Sequence, residues 1–568
     1  MKLTRWSLLL LALAAPARAE LVSLEWHTRE PFLGGASFGD VGPYEKLVGI
    51  ARFSVDPAHP RNRPIVDLDG ASRNKDGKVE FASDVYLLRP KDPSKRNGAL
   101  LYDVNNRGNK LALGMFNGAS GGNEPKDAGN GFLFRRGWSV LWSGWIAEVL
   151  PGDGRLLLQA PVVEGVKGVV RYETVTDRPA KSLPLSRREG HGSHSPTAEG
   201  EKAGVLTWRM RETDPRVVIP RPQWSLERQP MPKSGRGVPG TLPPIRLQVT
   251  GGFRPGYLYE LVCEASGPVV QGLGFAAVRD LVSHLKYAEK GLQRAHGFGV
   301  SQSGRFLRHF VHEGFNADER GRRVFDGLMP HVAGGGLGFF NHRFAQPTRH
   351  NGQHEEHLYP ADVFPFTYGD SDDEFEQPDG VLRRRGATDG ILRRVAREDP
   401  KLLPKVMHTQ SAAEYWHRSG SLVHTDTLGT ADAVIPPTVR VYAFGGTQHG
   451  PASFPPTRGI ADNLANPGDY RPFLRALLEA LDAWARDGIE PPASVYPRID
   501  NGTLVDWKQK ATGFPSLPGV RYPEVIQQPS ALDLGPDFAA KRVITIEPPR
   551  VLGHYRVLVP NVTPTATT

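Results

Sequence analysis

The sequence predicts an α/β fold in which a mostly parallel central sheet is flanked by helices. Between residues 268 and 488, short apolar strands alternate with helical patterns, as in "AHGFGV" followed by "RFLRHFVHEGF". The segment "DYRPFLRALLEALDAWARDG" has the spacing of a strongly amphipathic helix. Earlier, "GALLYDVNNRGNK" and "FLFRRGWSVLWSGW" each contain an apolar strand that leads into a glycine-bearing loop. Such alternation is typical of parallel strands joined by helices.

The N-terminus has the pattern of a cleaved signal peptide. Lys2 and Arg5 precede a short apolar core, Ser7 to Ala15, and Ala17-Arg18-Ala19 fits the small-residue cleavage rule. The apolar core is too short to span a bilayer. We therefore predict a signal peptide over residues 1–19 and a secreted or periplasmic protein without stable membrane insertion.

The remaining chain divides by composition into three parts. Residues 20–97 alternate apolar and polar positions between turn residues, which predicts a β-rich segment. Residues 98–524 carry the strand–helix alternation and are predicted to be the main domain. Two stretches interrupt this domain as predicted insertions: a β-rich one at about 150–250 and a polar, aromatic one at 337–400. A strand-like tail is predicted over 525–568.

Composition excludes several function classes. The formal net charge of +9 is mild for 568 residues, and no basic run is interleaved with aromatic residues, so nucleic-acid binding is not expected. The single cysteine, Cys263, allows no internal disulfide and lies in an apolar stretch typical of a buried side chain. Nothing in the sequence predicts the oligomeric state.

The stretch "GFGVSQSGRFLRH" predicts a nucleophilic serine at Ser301. An apolar strand, a sharp glycine-flanked turn and a helix follow one another, which is the arrangement of a nucleophile elbow. The alternative is a plain glycine-rich bend. Ser303 stands where a final glycine is usual, and we expect it on the first helical turn, facing away from the base, with Gly304 allowing the close approach.

A nucleophilic serine needs a base, and the base needs an acid that fixes its tautomer. His449 follows the strand "VYAF" in a glycine-bearing loop and is the predicted base. Glu414, just after the strand in "KVMHTQSAAEYW", is the predicted acid. Asp432 in "GTADAVIPP" is the alternative acid, and Asp426 in "LVHTDT" is a weaker competitor.

Other candidates are less specific. The oxyanion hole is predicted to use the backbone N–H of Gln302, after the nucleophile, and one from Asn106 or Arg107 in the loop "NNRGN". Weak substrate-binding candidates are Trp145 in a loop and the arginines Arg305 and Arg343, which could pair with an acidic group. Trp138 and Trp142 are expected in the core.

No metal site and no cofactor are predicted. The stretch "HEEHLYP", His354 to His357, lacks the H-E-x-x-H spacing that places two histidines on one helix face. The acidic stretch "GDSDDEFEQPD" is expected to be a surface loop rather than a calcium site.

With these residues in the order Ser301, Glu414, His449, the chain resembles the α/β-hydrolase superfamily over roughly residues 98–490, insertions excluded. The motifs "FGDVGPYEKLVG", "YDVNNRGNK", "NHRFAQPTRH", "AEYWHRSGSLVHTD" and "GGTQHGP" resemble a thinly characterised family of exported bacterial α/β-hydrolase-domain proteins. The turn "GVSQSGR" is also similar to the G-C-S-R-x-G-K turn of glucuronoyl esterases. Here Gln302 replaces their arginine and Arg305 their lysine, so their oxyanion contact through that arginine is not carried over.

The resemblance implies a serine hydrolase that cleaves a carboxylic ester of a small molecule or carbohydrate through an acyl-enzyme on Ser301. Two alternatives stay open: a serine peptidase that uses the same residues, and a non-catalytic carbohydrate- or lipid-binding protein on the same scaffold. The sequence does not identify the acyl or alcohol group.

Overall fold

The computed structural model describes residues 21–234, 238–349, 358–459 and 461–562. The predicted signal peptide, residues 1–19, lies outside the described residues, and so does the stretch His354 to His357. Within the described ranges, no helix has the length and apolar character needed to cross a membrane.

The structure contains long N-terminal strands, a block of short strands in the middle, and shorter strands towards the C-terminus. The strands before residue 160 are β1 (Leu21–Pro31), β2 (Tyr44–Val55), β3 (Val79–Pro90), β4 (Ala99–Asp103), β5 (Ser139–Ser143) and β6 (Leu158–Gln159). The middle block consists of β7 (Lys167–Thr174), β8 (Ala180–Pro184), β9 (Ser195–Pro196), β10 (Val205–Arg209), β11 (Val217–Ile219), β12 (Trp224–Arg228), β13 (Ile245–Phe253) and β14 (Leu258–Ser266). The others are β15 (Arg294–Val300), β16 (Gly327–His331), β17 (Ser371–Gln377), β18 (Gly380–Asp389), β19 (Lys405–Ser411), β20 (Val439–Phe444), β21 (Leu504–Val505), β22 (Ser530–Asp533), β23 (Arg550–His554) and β24 (Val559–Pro560).

In the described part of the chain, three helices are long enough to form layers, and the rest are single turns or little more. The α-helices are α1 (Phe132–Arg135), α2 (Ala198–Ala203), α3 (Leu273–Ala288), α4 (Gln302–His312), α5 (Arg393–Glu398), α6 (Glu414–His417), α7 (Arg471–Asp487), α8 (Gln509–Thr512) and α9 (Phe538–Lys541).

The central sheet has the strand order β1-β2-β3-β5-β4-β15-β16-β19-β20, with β6 paired to β3. The strands from β5 to β20 run parallel to one another, and β1, β2 and β3 continue the sheet as antiparallel strands. The predicted α/β class and mostly parallel sheet are therefore confirmed. The N-terminal β-rich residues extend the same sheet because β3 pairs directly with β5.

Alternate side chains of the central strands pack into two separate cores. On β5, Leu141 joins one core, whereas Val140 and Trp142 join the other. This alternation is the period of a strand that is buried on both faces. The first core is covered by α3 and α4 and the second by α7, so helices cover both faces of the sheet.

The middle block forms two small antiparallel sheets beside the central one. Their strand orders are β11-β10-β14-β7, with β9 on β14, and β12-β13-β8. Cys263 on β14 is buried in their common apolar core.

The acidic stretch after Gly369 is not the surface loop that we expected. It forms β17, which pairs with β18, and the C-terminal strand β23 joins β17 from the other side. Phe375 of β17 is fully buried against Tyr555. Asp372, Glu374 and Glu376 alternate with this buried face, whereas Asp373 lies on it and accepts from the Tyr555 hydroxyl (2.7 Å). The alternation of a strand is therefore present within a charge-rich sequence.

Candidate active site

Ser301 lies in a strained turn between β15 and α4, at the carboxyl end of the parallel strands. Its backbone has φ 60° and ψ −115°, a conformation that costs a non-glycine residue energy and is typical of a nucleophile elbow. The Ser301 N–H donates to the carbonyl of His331 on β16 (2.8 Å), which holds the turn against the sheet. The Ser301 side chain makes no capping hydrogen bond to α4. The Ser301 hydroxyl therefore does not cap the N-terminus of α4.

The turn requires glycine at positions 299 and 304 because an added Cβ would lie too close to neighbouring atoms. A Cβ on Gly299 would lie 2.3 Å from the carbonyl oxygen of Ser303, and one on Gly304 would lie 3.0 Å from the Cβ of Ala333. The Ser303 hydroxyl donates to the carbonyl of Asn105 (3.1 Å) and is fully buried. Ser303 thus fills the place of the usual glycine by tying the helix to the loop after β4.

We expect Gly299→Ala to lower the free energy of unfolding by about 1–3 kcal/mol, the usual cost of overpacking. The clash is with backbone atoms, so it is relieved only by moving β15 away from α4. Chemical denaturation measures the effect. Gly121→Ala is the matched control because a Cβ there meets no atom within 4 Å and the φ angle is ordinary. Equal denaturation midpoints for Gly299→Ala and Gly121→Ala would show that β15 and α4 do not approach this closely at Gly299.

His449 and Glu414 form a hydrogen-bonded pair. The His449 Nδ1 lies 2.5 Å from Oε1 of Glu414, whose other oxygen accepts from the backbone N–H of Ser411 (2.8 Å) and from its hydroxyl. Glu414 is fully buried at the start of α6, directly after β19, and His449 follows β20. Because a carboxylate only accepts, the pair places the proton on Nδ1 and leaves Nε2 of His449 as an acceptor.

Glu414 is held in its ionised form. Burial by itself would raise its pKa, but the hydrogen bond and charge of His449, followed by the charge of His417 and the hydrogen bond from Ser411, bring it down to about 2. The buried carboxylate is thus available to orient a histidine and to stabilise its protonated form.

Ser301 and His449 are connected through two buried residues. His331 accepts from the Ser301 N–H, and its ring packs against Tyr470 with centroids 4.7 Å apart. The Tyr470 hydroxyl in turn donates to the carbonyl of His449 (2.8 Å). Burial lowers the pKa of His331 to about 3, and Glu414 and His449 are near enough to act on it electrostatically. The structure records no hydrogen bond between the Ser301 hydroxyl and the His449 ring, a contact that often forms only with substrate.

The alternative acid, Asp432, has a different set of partners. Its carboxylate accepts the backbone N–H groups of Ile499 and Asp500 (3.0 Å each) and lies 3.6 Å from the Arg498 guanidinium. Asp432 thus stabilises a turn near residue 500. The other competitor, Asp426, accepts from the backbone of Thr430 (2.7 Å). Of these three acids, only Glu414 contacts His449.

The first oxyanion candidate, Gln302, begins α4. The first N–H groups of a helix have no intrahelical acceptor and carry partial positive charge. The Gln302 side chain is buried and donates to the carbonyl of Pro347 (2.5 Å), away from the first turn of α4. This arrangement is suited to holding a negative oxygen beside Ser301.

The second oxyanion candidates lie in the loop after β4. The Asn106 N–H already donates to the carbonyl of Asn109 (2.9 Å), and its side chain donates to the carbonyl of Val300 (3.0 Å). In this conformation Asn106 therefore does not offer its backbone N–H, and it ties the loop to β15 instead. Arg107 has φ 53°, and its guanidinium donates to the Asn106 side chain (2.8 Å). The second donor stays a prediction.

Trp145 is not a pocket residue. Its ring is 1% exposed and packs against Phe306 and Phe340, with centroids 4.4 and 5.1 Å away, while its Nε1 donates to the carbonyl of Asn105 (2.8 Å). The loop after β5 turns inwards over α4, so this tryptophan joins Trp138 and Trp142 in the core.

The two arginines proposed for an acidic substrate have partners within the protein. Arg305 is fully buried and donates to the carbonyl of Ala333 (3.1 Å). Arg343 forms an ion pair with Asp67 (2.5 Å). Both guanidiniums fix loops to the fold.

Sequence reasoning missed His417, His331 and Tyr470. His417 lies three residues after Glu414 on α6, a spacing that places both on one helix face. That spacing was the available signal for His417. His331 and Tyr470 carry no local signal, because their contacts with the site come from the packing of β16 and α7.

Comparison with known proteins gives a family match. Residues 259–538 match a family model described as "Alpha/beta hydrolase domain". No curated protein matches the chain. A solved structure, Est1E from Butyrivibrio proteoclasticus, aligns over 74% of this chain and 99% of that one, with 10% identity and a TM-score of 0.23. That similarity is too low to support an argument.

Proposed function

Because the chain is a member of the α/β-hydrolase superfamily, we propose that it is a serine esterase that cleaves a carboxylic ester of a small molecule or carbohydrate. The superfamily assignment supports a hydrolase with a small-molecule substrate; the serine, the ester and the assignment of residues are our proposal. The observation that carries it is the His449–Glu414 hydrogen bond at the same sheet edge as the strained Ser301 turn.

In the first step, the Ser301 Oγ attacks the ester carbonyl while Nε2 of His449 takes the hydroxyl proton. The Nδ1–H of His449 stays hydrogen-bonded to Glu414, whose negative charge stabilises the imidazolium as it forms. The carbonyl oxygen becomes an oxyanion and accepts the backbone N–H of Gln302, with a second donor from the loop of Asn106 and Arg107.

In the second half of the cycle, the His449 imidazolium gives its proton to the departing alcohol, and an acyl-enzyme on Ser301 remains. Water then attacks the acyl carbonyl while His449 takes a proton from it. As the bond to Oγ breaks, His449 returns that proton to Ser301, and the acid product leaves. In this scheme, the His449 side chain accepts and donates every proton that is transferred.

We further propose that the protein acts outside the cytoplasm. The basic start, the nine-residue apolar core and the Ala17-Arg18-Ala19 cleavage pattern support export. Expression of the full chain in a bacterial host, followed by N-terminal sequencing of the exported product, tests this proposal. Cleavage after Ala19 is expected, whereas an uncleaved cytoplasmic product would contradict it.

A hydrolysis screen tests the chemistry. We expect turnover of p-nitrophenyl acetate and no turnover of peptide anilides. The oxygen leaving group of an ester departs with less activation than the nitrogen leaving group of an amide. A series of short acyl, feruloyl and methyl glucuronate esters then defines the acyl and alcohol groups. Turnover of the anilides would favour a peptidase. The absence of both activities and of fluorophosphonate labelling would favour a non-catalytic binding protein.

A further inference from the structure

We propose that Glu414, His417 and His449 form a site for a divalent transition-metal ion such as Zn²⁺, and that the bound ion switches the enzyme off. Nδ1 or Nε2 of each histidine and a carboxylate oxygen of Glu414 lie within 4.8 Å of one another. Two imidazole nitrogens and one carboxylate oxygen are a ligand set that zinc uses with its fourth position open. The inhibitory consequence rests on the proposed esterase mechanism, but binding of the ion does not.

His417 has the orientation of a metal ligand. Its Nδ1 lies 2.6 Å from the carbonyl of Ala413, and because a carbonyl only accepts, that nitrogen carries the proton. A ligating histidine typically donates its other N–H to a carbonyl in this way. The other nitrogen, Nε2, is therefore the one that would bind a metal, and it lies 3.9 Å from Oε1 of Glu414.

The separation of His417 and Glu414 suits a bridging cation. The Glu414 carboxylate is fully buried, and a metal ion about 2.0–2.2 Å from both atoms would bond to each of them.

The third ligand atom is Nδ1 of His449, which lies 2.5 Å from the same carboxylate oxygen. Metal–ligand bonds of about 2.0–2.2 Å imply ligand atoms roughly 3.3–3.5 Å apart around a tetrahedral ion. The two separations from Oε1 of Glu414, 2.5 Å to His449 and 3.9 Å to His417, lie on either side of this value. Small side-chain rotations on α6 and in the His449 loop are therefore sufficient to form the site.

Solvent can deliver the ion. The side chains of His417 and His449 are 30% and 39% exposed, whereas Glu414 is fully buried beneath them. The two histidines thus lie on the solvent-exposed side of the site, and the Glu414 carboxylate lies on its buried side. The rings are in edge contact with centroids 5.3 Å apart, and a nitrogen of each lies within 4.8 Å of the other and of the carboxylate.

Metal binding would remove the base by a tautomer change. In the free pair, the proton of neutral His449 is on Nδ1, and Nε2 accepts the Ser301 proton. A metal bond to Nδ1 requires that this proton leave and that a proton bind at Nε2, with no net change in the charge of the ring. Nε2 is then a donor and cannot accept the Ser301 proton, and Glu414 is engaged by the ion.

A second cluster of potential ligands among the described residues, His309, His312 and Glu313, does not share these features. His309 Nδ1 accepts the backbone N–H of Phe340 (3.0 Å), so its Nε2–H is the donor to Glu313 (3.2 Å). Both nitrogens of His309 are thus already satisfied. In addition, the Arg542 guanidinium lies 3.6 Å from the Glu313 carboxylate.

Co²⁺ and Zn²⁺ titrations of the purified mature protein test the proposal. We expect the intense visible absorption of tetrahedral Co²⁺, saturating at one ion per chain and displaced by Zn²⁺. Zn²⁺ should inhibit ester hydrolysis and slow fluorophosphonate labelling. His417→Gln should weaken metal binding at least about 100-fold, since loss even of an outer-shell partner costs 10–100-fold. His59→Ala, a histidine of similar exposure outside the cluster, should bind metal as the wild type does.

The outcomes separate this proposal from the proposed function. Zinc affinity is measured from the loss of Co²⁺ absorption as Zn²⁺ displaces Co²⁺. Inhibition by zinc is expressed relative to the metal-free rate of each variant. An active wild type without the tetrahedral spectrum, or one in which His417→Gln and His59→Ala bind equally, would overturn the metal site. An inactive wild type that still binds one ion through His417 would overturn the esterase proposal and leave the site standing.

Discussion

Replacing Ser301 by alanine is expected to abolish ester hydrolysis, lowering kcat by a factor on the order of 10⁶. Alanine removes the attacking oxygen, and no other hydroxyl replaces it. The fold should be retained, because the Ser301 side chain makes no capping bond to α4. Initial rates with p-nitrophenyl acetate and fluorophosphonate labelling measure the change.

Ser303→Ala is the matched control for Ser301→Ala. Ser303 is two residues away, but its hydroxyl is buried and donates to the carbonyl of Asn105. We expect a loss of about 1 kcal/mol in the free energy of unfolding, the usual worth of such a bond, and labelling that stays within tenfold of the wild type. Loss of labelling in Ser303→Ala but not in Ser301→Ala would show that the nucleophile is misassigned.

The fold class was predictable because its signals are local. The apolar stretch "AHGFGV" and the helical spacing after it appear in the structure as β15 and α4, and the amphipathic pattern near residue 480 appears as α7. Pairing between distant segments left no comparable signal. The partner of β17 on one side is β23, from the C-terminal tail, and an acidic sequence gives no indication of that contact.

For the candidate site, chain order was the most informative feature. It selected Glu414 after β19 and His449 after β20, and the structure joins these side chains by a hydrogen bond. Their catalytic role stays a prediction. The carboxyl ends of parallel strands meet at one edge of the sheet, so residues that follow successive strands are brought together regardless of their separation in sequence.

Two of the three substrate-binding candidates, Trp145 and Arg305, are buried for a physical reason. Whether a tryptophan or an arginine in a loop reaches solvent depends on the direction in which the loop folds. Trp145 and Arg305 both turn inwards, where the ring packs on α4 and the guanidinium binds the carbonyl of Ala333. Residue type identifies what a side chain can bind, but only the packed structure shows where it points.

The second large effect is expected for Glu414→Gln, which should lower kcat about 10⁴-fold. Each tenfold loss corresponds to about 1.4 kcal/mol of transition-state stabilisation, so the total is about 5 kcal/mol. Glutamine keeps the shape, but its NH₂ can face Nδ1 of His449, which favours the tautomer with the proton on Nε2. The uncharged amide also no longer stabilises the imidazolium. Stopped assays under saturating substrate measure kcat, and circular dichroism confirms the fold.

Asp432→Asn discriminates between the two predicted acids. The Asp432 carboxylate accepts two backbone N–H groups near residue 500, and an amide has one oxygen for them. We therefore expect this variant to lose about 1 kcal/mol of stability and to keep kcat within tenfold of the wild type. A loss of several orders of magnitude in Asp432→Asn, with Glu414→Gln near the wild-type rate, would assign the acid to Asp432. It would also require the loop after residue 425 to move towards His449 during catalysis, since in this conformation Glu414 alone of the two acids reaches that histidine.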